Sequence, residues 1–315
     1  MTSVPPSFQH PGSPPSRPEL PEGAPVPEPV SHPALPQVGV PVWAPFLVVF
    51  AAFVCVLLAQ TVAAVVIELA GGNVTSLTDS DAATIGFTVV LDVTLIVCTV
   101  AVVRWLADLR PTPPTFGLRV PDWRPALGWT LAVYAGFWVC AVIVGLAFGQ
   151  PDEQDIVTDL KAEESVAVLV AFGLMTCLVA PLAEEFFFRG FLFRVLHERV
   201  GAVVGVLGTG VAFGLVHLPS GDWIGTIVLS LFGMGLCILL LCTSSLIPCI
   251  MLHAFHNSIS FGFTKELPWW GFLLLTTASV MTTFYIARLA SRPRQRVPNG
   301  TSHYTEWPVG RGPRS

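Results

Sequence analysis

Three residues that ionise at neutral pH stand in an otherwise apolar helical segment of this 315-residue chain. Glu184, Glu185 and Arg189 lie within the run Ala-Glu-Glu-Phe-Phe-Phe-Arg. An ionised group near the centre of a bilayer costs roughly 2.5–3.5 kcal/mol on insertion scales, and such groups commonly mark functional sites. The run therefore offers candidate groups for acid–base chemistry inside a membrane.

Two later apolar segments carry polar residues that can work with these carboxylates. The first holds His217 in the run Phe-Gly-Leu-Val-His, and the second holds His253 and Asn257 in the run His-Ala-Phe-His-Asn. A carboxylate, two imidazoles and an amide can take up a proton and stabilise a developing negative charge in a water-poor site. Because the motifs hold no Ser or Cys nucleophile, attack by water is favoured over an acyl-enzyme.

Helical spacing assigns different tasks to the two glutamates. Each residue of an α-helix turns by about 100°, so Glu184 and Glu185 cannot face the same point. Glu185 and Arg189 are i,i+4 neighbours that can pair, and pairing makes both cheaper to bury. This leaves Glu184 free to point into the bundle. The alternative is that all three residues form one structural ion cluster.

The histidine motifs follow the same helical logic. His217 shares a helix face with Phe213, four residues earlier. His253 and Asn257 also share a face, whereas His256 is turned by about 60° from His253 and either lines the same cavity or packs in the core. With a turn near residues 200–201, an antiparallel hairpin places Glu184 and His217 at about the same depth. Four groups from three helices can thus converge on one point.

The elements that position these residues are predicted to be membrane-spanning helices. Charged residues make up 12% of the chain, against about 25% in soluble proteins, and the mean hydropathy is +0.69. Long unbroken apolar runs indicate helices rather than the short alternating strands of a barrel. We predict an all-α polytopic membrane bundle of about eight transmembrane helices. The expected spans are residues 42–69, 83–106, 125–148, 165–187, 201–218, 223–243, 245–263 and 268–289.

Charge and composition predict the arrangement of the bundle in the membrane. Residues 1–40 hold 12 of the 28 prolines and are expected to form a disordered tail, as are residues 291–315, around a bundle over 41–290. With an even number of spans, all but three of the 16 Lys and Arg residues fall on one side or in the tails. The exceptions are Lys161 and Lys265 on the opposite side and Arg189 within a span. The positive-inside rule then predicts that both termini are cytoplasmic, in the plasma membrane.

The three motifs, in this order and each in an apolar helix, resemble the CPBP family of intramembrane proteases. This family includes the type II CAAX prenyl endopeptidases and the bacterial Abi, or bacteriocin-immunity, proteins. The resemblance covers about residues 125–265 and implies an eight-helix bundle. It also implies roles at the matching positions. Glu184 activates a water that His217 helps to hold, His253 and Asn257 stabilise the oxyanion, and Glu185 and Arg189 are structural.

The resemblance leaves the cofactor open. Glu184, His217 and His253 form a two-His, one-carboxylate set that can bind a divalent metal such as zinc with one position left for water. The His-Glu-x-x-His signature of soluble zinc proteases does not occur in the sequence. A metal-free mechanism that depends on the glutamate is the other implied possibility.

Three functions are compatible with the sequence. The favoured one is an intramembrane endopeptidase that acts on a membrane-associated peptide or protein within the lipid bilayer, with no nucleic-acid partner. The second is a non-catalytic membrane scaffold or bacteriocin-immunity protein that keeps the motifs for structure or partner binding. The third is a proton-coupled transporter with Glu184 and the histidines as a relay, although the paired repeats typical of transporters are not evident.

Overall fold

The computed structural model describes residues 37–75, 80–107, 111–152, 154, 158, 160–161 and 163–291. Within these residues the chain is helical and has no strands, which confirms the predicted all-α class. Eight helices are long and apolar enough to cross a membrane, as expected. They are α1 (Ala44–Leu69), α2 (Asp81–Leu106), α3 (Trp123–Phe148), α4 (Val166–Val200), α5 (Ala202–Leu215, whose span continues to Ser220), α6 (Trp223–Thr243), α7 (Leu246–Thr264) and α8 (Trp269–Ala290).

Short polar side chains mark where several of these helices begin. Five of the helices follow a Ser or Asp whose side chain accepts a hydrogen bond from a backbone N–H of the first turn. Such caps satisfy backbone donors that have no partner within the helix, which matters most where no water can replace them. The capping residues are Ser80, Asp122, Ser165, Asp222 and Ser245.

Helix α4 is longer than its sequence suggested. The predicted fourth span ended at residue 187, but the helix is 35 residues long and extends to Val200. It contains two π-helical segments, Met175–Val179 and Phe188–Leu192. The prediction was wrong because Arg194, taken for a residue after the span, is 1% exposed and donates to the carbonyl of Thr115. A buried, hydrogen-bonded Arg does not force the helix to end.

Arg194 and Arg199, which were predicted to follow span four on the cytoplasmic side, therefore lie on α4 itself. The exposed Arg199 near its end donates to the carbonyl of Val40. The neighbouring Glu198 accepts hydrogen bonds from the backbone N–H groups of Val38 and Gly39. The described end of the proline-rich segment is thus held against the last turn of α4. The rest of the two predicted tails, residues 1–36 and 292–315, lies outside the described residues.

Glycines let α5 and α6 approach at backbone distance just before His217. A Cβ added to Gly210 would lie 2.8 Å from the Ser230 carbonyl oxygen, and one added to Gly233 would lie 3.1 Å from the Cα of Gly210. A Cβ on Gly214 would overlap the Thr226 carbonyl oxygen. Small residues four apart are the usual means by which helices pack closely in membranes. This contact sets the position of the C-terminal end of α5, and with it His217.

We predict that Gly214→Ala destabilises the bundle. In an ordinary helix this change is favourable by roughly 0.5–1 kcal/mol, but here the methyl group meets the backbone of Thr226, which cannot rotate away. Overpacking of this kind costs about 1–3 kcal/mol. We expect a lower unfolding temperature in detergent and a smaller monodisperse fraction.

Gly208→Ala is the matched control on the same helix. Its new methyl group would meet only the flexible end of the Leu196 side chain, at 3.4 Å. This variant should be as stable as the wild type or slightly more so. Equal unfolding temperatures for the Gly208 and Gly214 variants would show that the close helix contact does not constrain the bundle.

Candidate functional site

The predicted pair of Glu185 and Arg189 is present at the centre of the bundle. Both side chains are 0% exposed, and Arg189 Nη1 lies 2.6 Å from Glu185 Oε1. Arg189 Nη2 donates to the carbonyl of Gly233 on α6 at 3.0 Å, and the guanidinium lies 4.5 Å from the centroid of the Phe213 ring on α5. A single ion pair on α4 therefore contacts two other helices.

Glu185 also holds His253, which the motif spacing did not indicate. His253 Nδ1 lies 2.8 Å from the same Glu185 Oε1 that Arg189 contacts. An ionised carboxylate only accepts hydrogen bonds, so this nitrogen is the one that carries a proton. The other nitrogen, Nε2, then faces Glu184, with 3.8 Å between His253 Nε2 and Glu184 Oε2. Glu185 thus fixes which ring nitrogen of His253 is directed into the site.

Glu184 differs from its neighbour in exposure. Its side chain is 20% exposed, whereas that of Glu185 is fully buried. The distance of 3.8 Å to His253 Nε2 is longer than a hydrogen bond. Among the described residues, no ion pair with Lys or Arg compensates this carboxylate. Glu184 is therefore the carboxylate that remains available to a water or a substrate.

His217 lies where α5 has just ended, in the turn before the 3₁₀ segment Leu218–Ser220. Its Nδ1 is 2.8 Å from the Phe213 carbonyl oxygen, so Nδ1 carries the proton and Nε2 is left as an acceptor. The Phe213 ring lies between the two motif histidines, with centroid distances of 5.0 Å to His217 and 5.7 Å to His253. The structure therefore places both histidines around one aromatic ring.

Asn257 is anchored to the first π segment of α4. Its Nδ2 donates to the Thr176 carbonyl at 2.8 Å. A side-chain amide has two N–H donors, so one remains after this bond is made. Asn257 lies one helical turn beyond His253 on α7, as predicted. The wide turn of a π segment commonly occurs at functional sites, and here it supplies an acceptor that orients a motif residue.

His256 packs among aromatic rings instead of joining the motif residues. Its ring centroid is 4.5 Å from that of Phe232 and 5.4 Å from that of Phe137. Its Nδ1 lies 3.4 Å from the hydroxyl oxygen of Tyr134. Of the two possibilities left by the sequence, the structure thus supports packing. Phe232 also contacts His253, with 5.6 Å between centroids, so one ring contacts both histidines of α7.

The predicted metal set is not assembled. In the part of the chain that the structure describes, no group of three or more His, Cys, Asp or Glu side chains is arranged to hold a metal ion. Glu184 and His253 approach each other, but among the described residues His217 has no Asp or Glu oxygen within ion-pair distance. The arrangement of Glu184, His217 and His253 therefore does not fit a metal-binding group.

The sequence motifs did not indicate one acidic residue near the site. Asp92 is 3% exposed and lies on α2, which packs against the part of α4 that carries Glu184. It is the only Asp, Glu, Lys, Arg or His between residues 82 and 103. The insertion-cost argument that pointed to Glu184 applies equally to this residue. The signal was therefore in the sequence, although no motif pointed to Asp92.

Comparison with known families agrees with this site. Residues 166–259 match the model of the Rce1-like type II CAAX prenyl endopeptidases. The predicted relationship is thereby confirmed over this segment, which is shorter than the expected 125–265. The segment contains Glu184, His217, His253 and Asn257. No curated protein and no solved structure matches the chain significantly.

The Rce1-like match supports a peptidase in general terms, because this is a protease family. Eight apolar helices make the protein an integral membrane protein. The expected substrate class, a membrane-associated one, and the lipid bilayer as surroundings follow from these two findings.

We predict that Arg189→Met costs about 3–5 kcal/mol of folding free energy, because it leaves Glu185 buried without its cation. The double variant Glu185→Gln/Arg189→Met should lose much less, since both charges are gone and a Gln oxygen can still accept from His253. Unfolding in detergent measures both losses.

Arg199→Met is the matched control, because this exposed Arg donates only to a neutral backbone carbonyl. We expect it to lose less than about 1 kcal/mol. If the double variant were as unstable as Arg189→Met alone, the charge of Glu185 would not be the reason for the loss.

Proposed function

We propose that the protein is an intramembrane endopeptidase in which Glu184 acts as the general base on a water. One observation carries the proposal. Of two adjacent glutamates, Glu185 is fully buried and held through Oε1 by Arg189 and His253, whereas Glu184 is partly exposed and faces His253 Nε2. A site that neutralises one carboxylate and leaves the next one uncompensated is suited to proton transfer.

The proposed first step is attack by water on the peptide carbonyl carbon. Glu184 accepts a proton from the water as the new carbon–oxygen bond forms. The second O–H of the water donates a hydrogen bond to His217 Nε2, which holds the water in place. The charge then moves to the carbonyl oxygen, which becomes an oxyanion.

The proposed oxyanion donors are on α7. Asn257 keeps one N–H after its bond to Thr176. His253 directs Nε2 towards Glu184 and the attacking water, and this nitrogen donates to the oxyanion when it carries a proton. Donors held in place before the reaction stabilise a developing charge without reorganisation. The carbon–nitrogen bond then breaks as Glu184 passes its proton to the amine, which gives a carboxylic acid and an amine.

This mechanism is the glutamate-dependent one of the two that the sequence left open. No step passes through a metal, because the motif residues do not fit a metal-binding group in the described structure. The substrate that we propose is a peptide or protein anchored in the membrane. The family name points to a prenylated C-terminal tail as the first one to try.

The test uses the purified full-length protein in liposomes with a fluorogenic peptide that carries a farnesylcysteine followed by three residues. We predict cleavage by the wild type and a loss of about 10²–10⁴-fold in kcat for Glu184→Gln, since that is the usual contribution of a general base. The same peptide without the farnesyl group should be cleaved less well. The assay is run with and without a metal chelator, and we expect no difference.

Glu164→Gln, in the exposed loop before α4, is the matched control and should keep wild-type kcat. Unfolding curves for both variants show whether a lost activity reflects lost structure. Wild-type kcat for Glu184→Gln would refute the general-base role. A loss of activity on chelation would refute the metal-free mechanism.

We also propose that both termini are cytoplasmic and that the protein lies in the plasma membrane. The basic residues of the loops support this orientation. Thr112, between α2 and α3, and Asp152, after α3, are both exposed and lie at opposite ends of α3.

The orientation predicts the labelling of single cysteines on a background without the seven native ones. An impermeant maleimide added to intact cells should label Asp152→Cys. Thr112→Cys should react only after the membrane is permeabilised. The reverse pattern would invert the proposed topology.

A further inference from the structure

The strongest feature that the proposed mechanism does not use is Asp92. It lies on α2, outside the segment 166–259 that matches the protease family. Its side chain is buried, with 3% of the residue exposed, and Oδ2 has no hydrogen-bond partner in the described structure. Buried polar atoms normally have a partner, in the protein or in an ordered water. An unpartnered carboxyl oxygen in a membrane helix therefore calls for a functional explanation.

The position of Asp92 points to the site of Glu184. Helix α2 packs against Ala180–Phe187, the part of α4 that carries Glu184. The two carboxyl groups are close enough to interact electrostatically. No Lys, Arg or His of the described residues forms an ion pair with Asp92. Asp92 is thus a second carboxyl group beside the proposed base, contributed by a helix from outside the matched segment.

The protonation of the two carboxyl groups decides whether they can hydrogen-bond to each other. Two ionised carboxylates are both acceptors and cannot bond to each other, whereas a protonated carboxyl group has one O–H to donate. Glu184 must be ionised to take a proton from water. Any hydrogen bond between the two groups therefore requires that the proton be on Asp92.

We propose that Asp92, in its protonated form, donates its O–H directly to the Glu184 carboxylate and is a positioning residue of the site. This inference rests on the proposed function. The bond occupies one lone pair of Glu184 and keeps the carboxylate turned towards His253 Nε2 and the attacking water. Asp92 does not contact the substrate, so its loss reduces kcat and leaves KM unchanged.

Thr99 supplies a matched control. It lies seven residues after Asp92, two turns along the same face of α2. It is fully buried, and its Oγ1 has no hydrogen-bond partner among the described residues. Removing this hydroxyl shows whether the loss of any unpartnered polar atom on this face of α2 lowers kcat, or only the loss of the Asp92 carboxyl group.

The kinetic experiment compares Asp92→Ala, Asp92→Asn and Thr99→Val in liposomes with the farnesylated fluorogenic peptide. Asp92→Ala should lower kcat by about 10–100-fold, the usual loss for a group that orients a catalytic residue. Asp92→Asn should keep most of the wild-type kcat, because its N–H donates in place of the O–H. Thr99→Val should leave kcat unchanged. An Asn variant as slow as the Ala variant, or an Ala variant as fast as the wild type, would overturn the proposal.

An infrared measurement on the wild type, Asp92→Asn and Glu184→Gln tests the same bond without measuring activity. The wild-type protein should show the C=O stretching band of a protonated carboxyl group, and Asp92→Asn should lack it. In Glu184→Gln the band should shift, because its acceptor has changed. A wild type without that band, or a band that does not respond to Glu184→Gln, refutes the inference. If the wild type fails to cleave the peptide, the proposed function fails, and the infrared result still decides the role of Asp92.

Discussion

The ion pair of Glu185 and Arg189 is the interaction on which the rest of the site depends. Both charges are fully buried, and desolvation of an unpaired charge would cost several kcal/mol. Arg189 offsets this cost through Glu185, the Gly233 carbonyl and the Phe213 ring, and Glu185 accepts a further bond from His253. Because these partners come from α5, α6 and α7, the pair on α4 joins the three helices that carry the motif residues and links them to α6. A pair that appears merely structural thus determines how His253 is oriented.

Backbone contacts complement this polar centre. The glycines of α5 and α6 bring two helices close enough that no side chain separates them, and His217 follows directly at the end of α5. The π segments of α4 widen the helix on either side of the two glutamates, and one of them provides the carbonyl that anchors Asn257. Rigid packing and local irregularity therefore serve the same purpose. Each holds one polar side chain of the site in a defined position.

Local periodicity accounts for what was predictable in the site. The i,i+4 spacing of Glu185 and Arg189 predicts their pairing, and the pair is present. The same spacing predicts that Asn257 follows His253 by one turn. Periodicity could not indicate that His253 uses one nitrogen for Glu185 and directs the other to Glu184, because that choice depends on the distance between α4 and α7. It also could not show that Arg194 is buried and donates to the carbonyl of Thr115, a residue that lies far away in the sequence.

The sequence by itself determined the class of the protein and the faces of its helices, since apolar length and helical spacing are properties of each segment alone. Eight spans and three motifs follow from these local properties. Only the tertiary structure decided which polar groups meet. It packed the helix of Asp92 against the part of α4 that carries Glu184, moved His256 into an aromatic cluster, and left the predicted metal set unassembled. The physical reason is that contacts between helices depend on crossing distances, and those are set by close glycine contacts and buried charges in other segments of the chain.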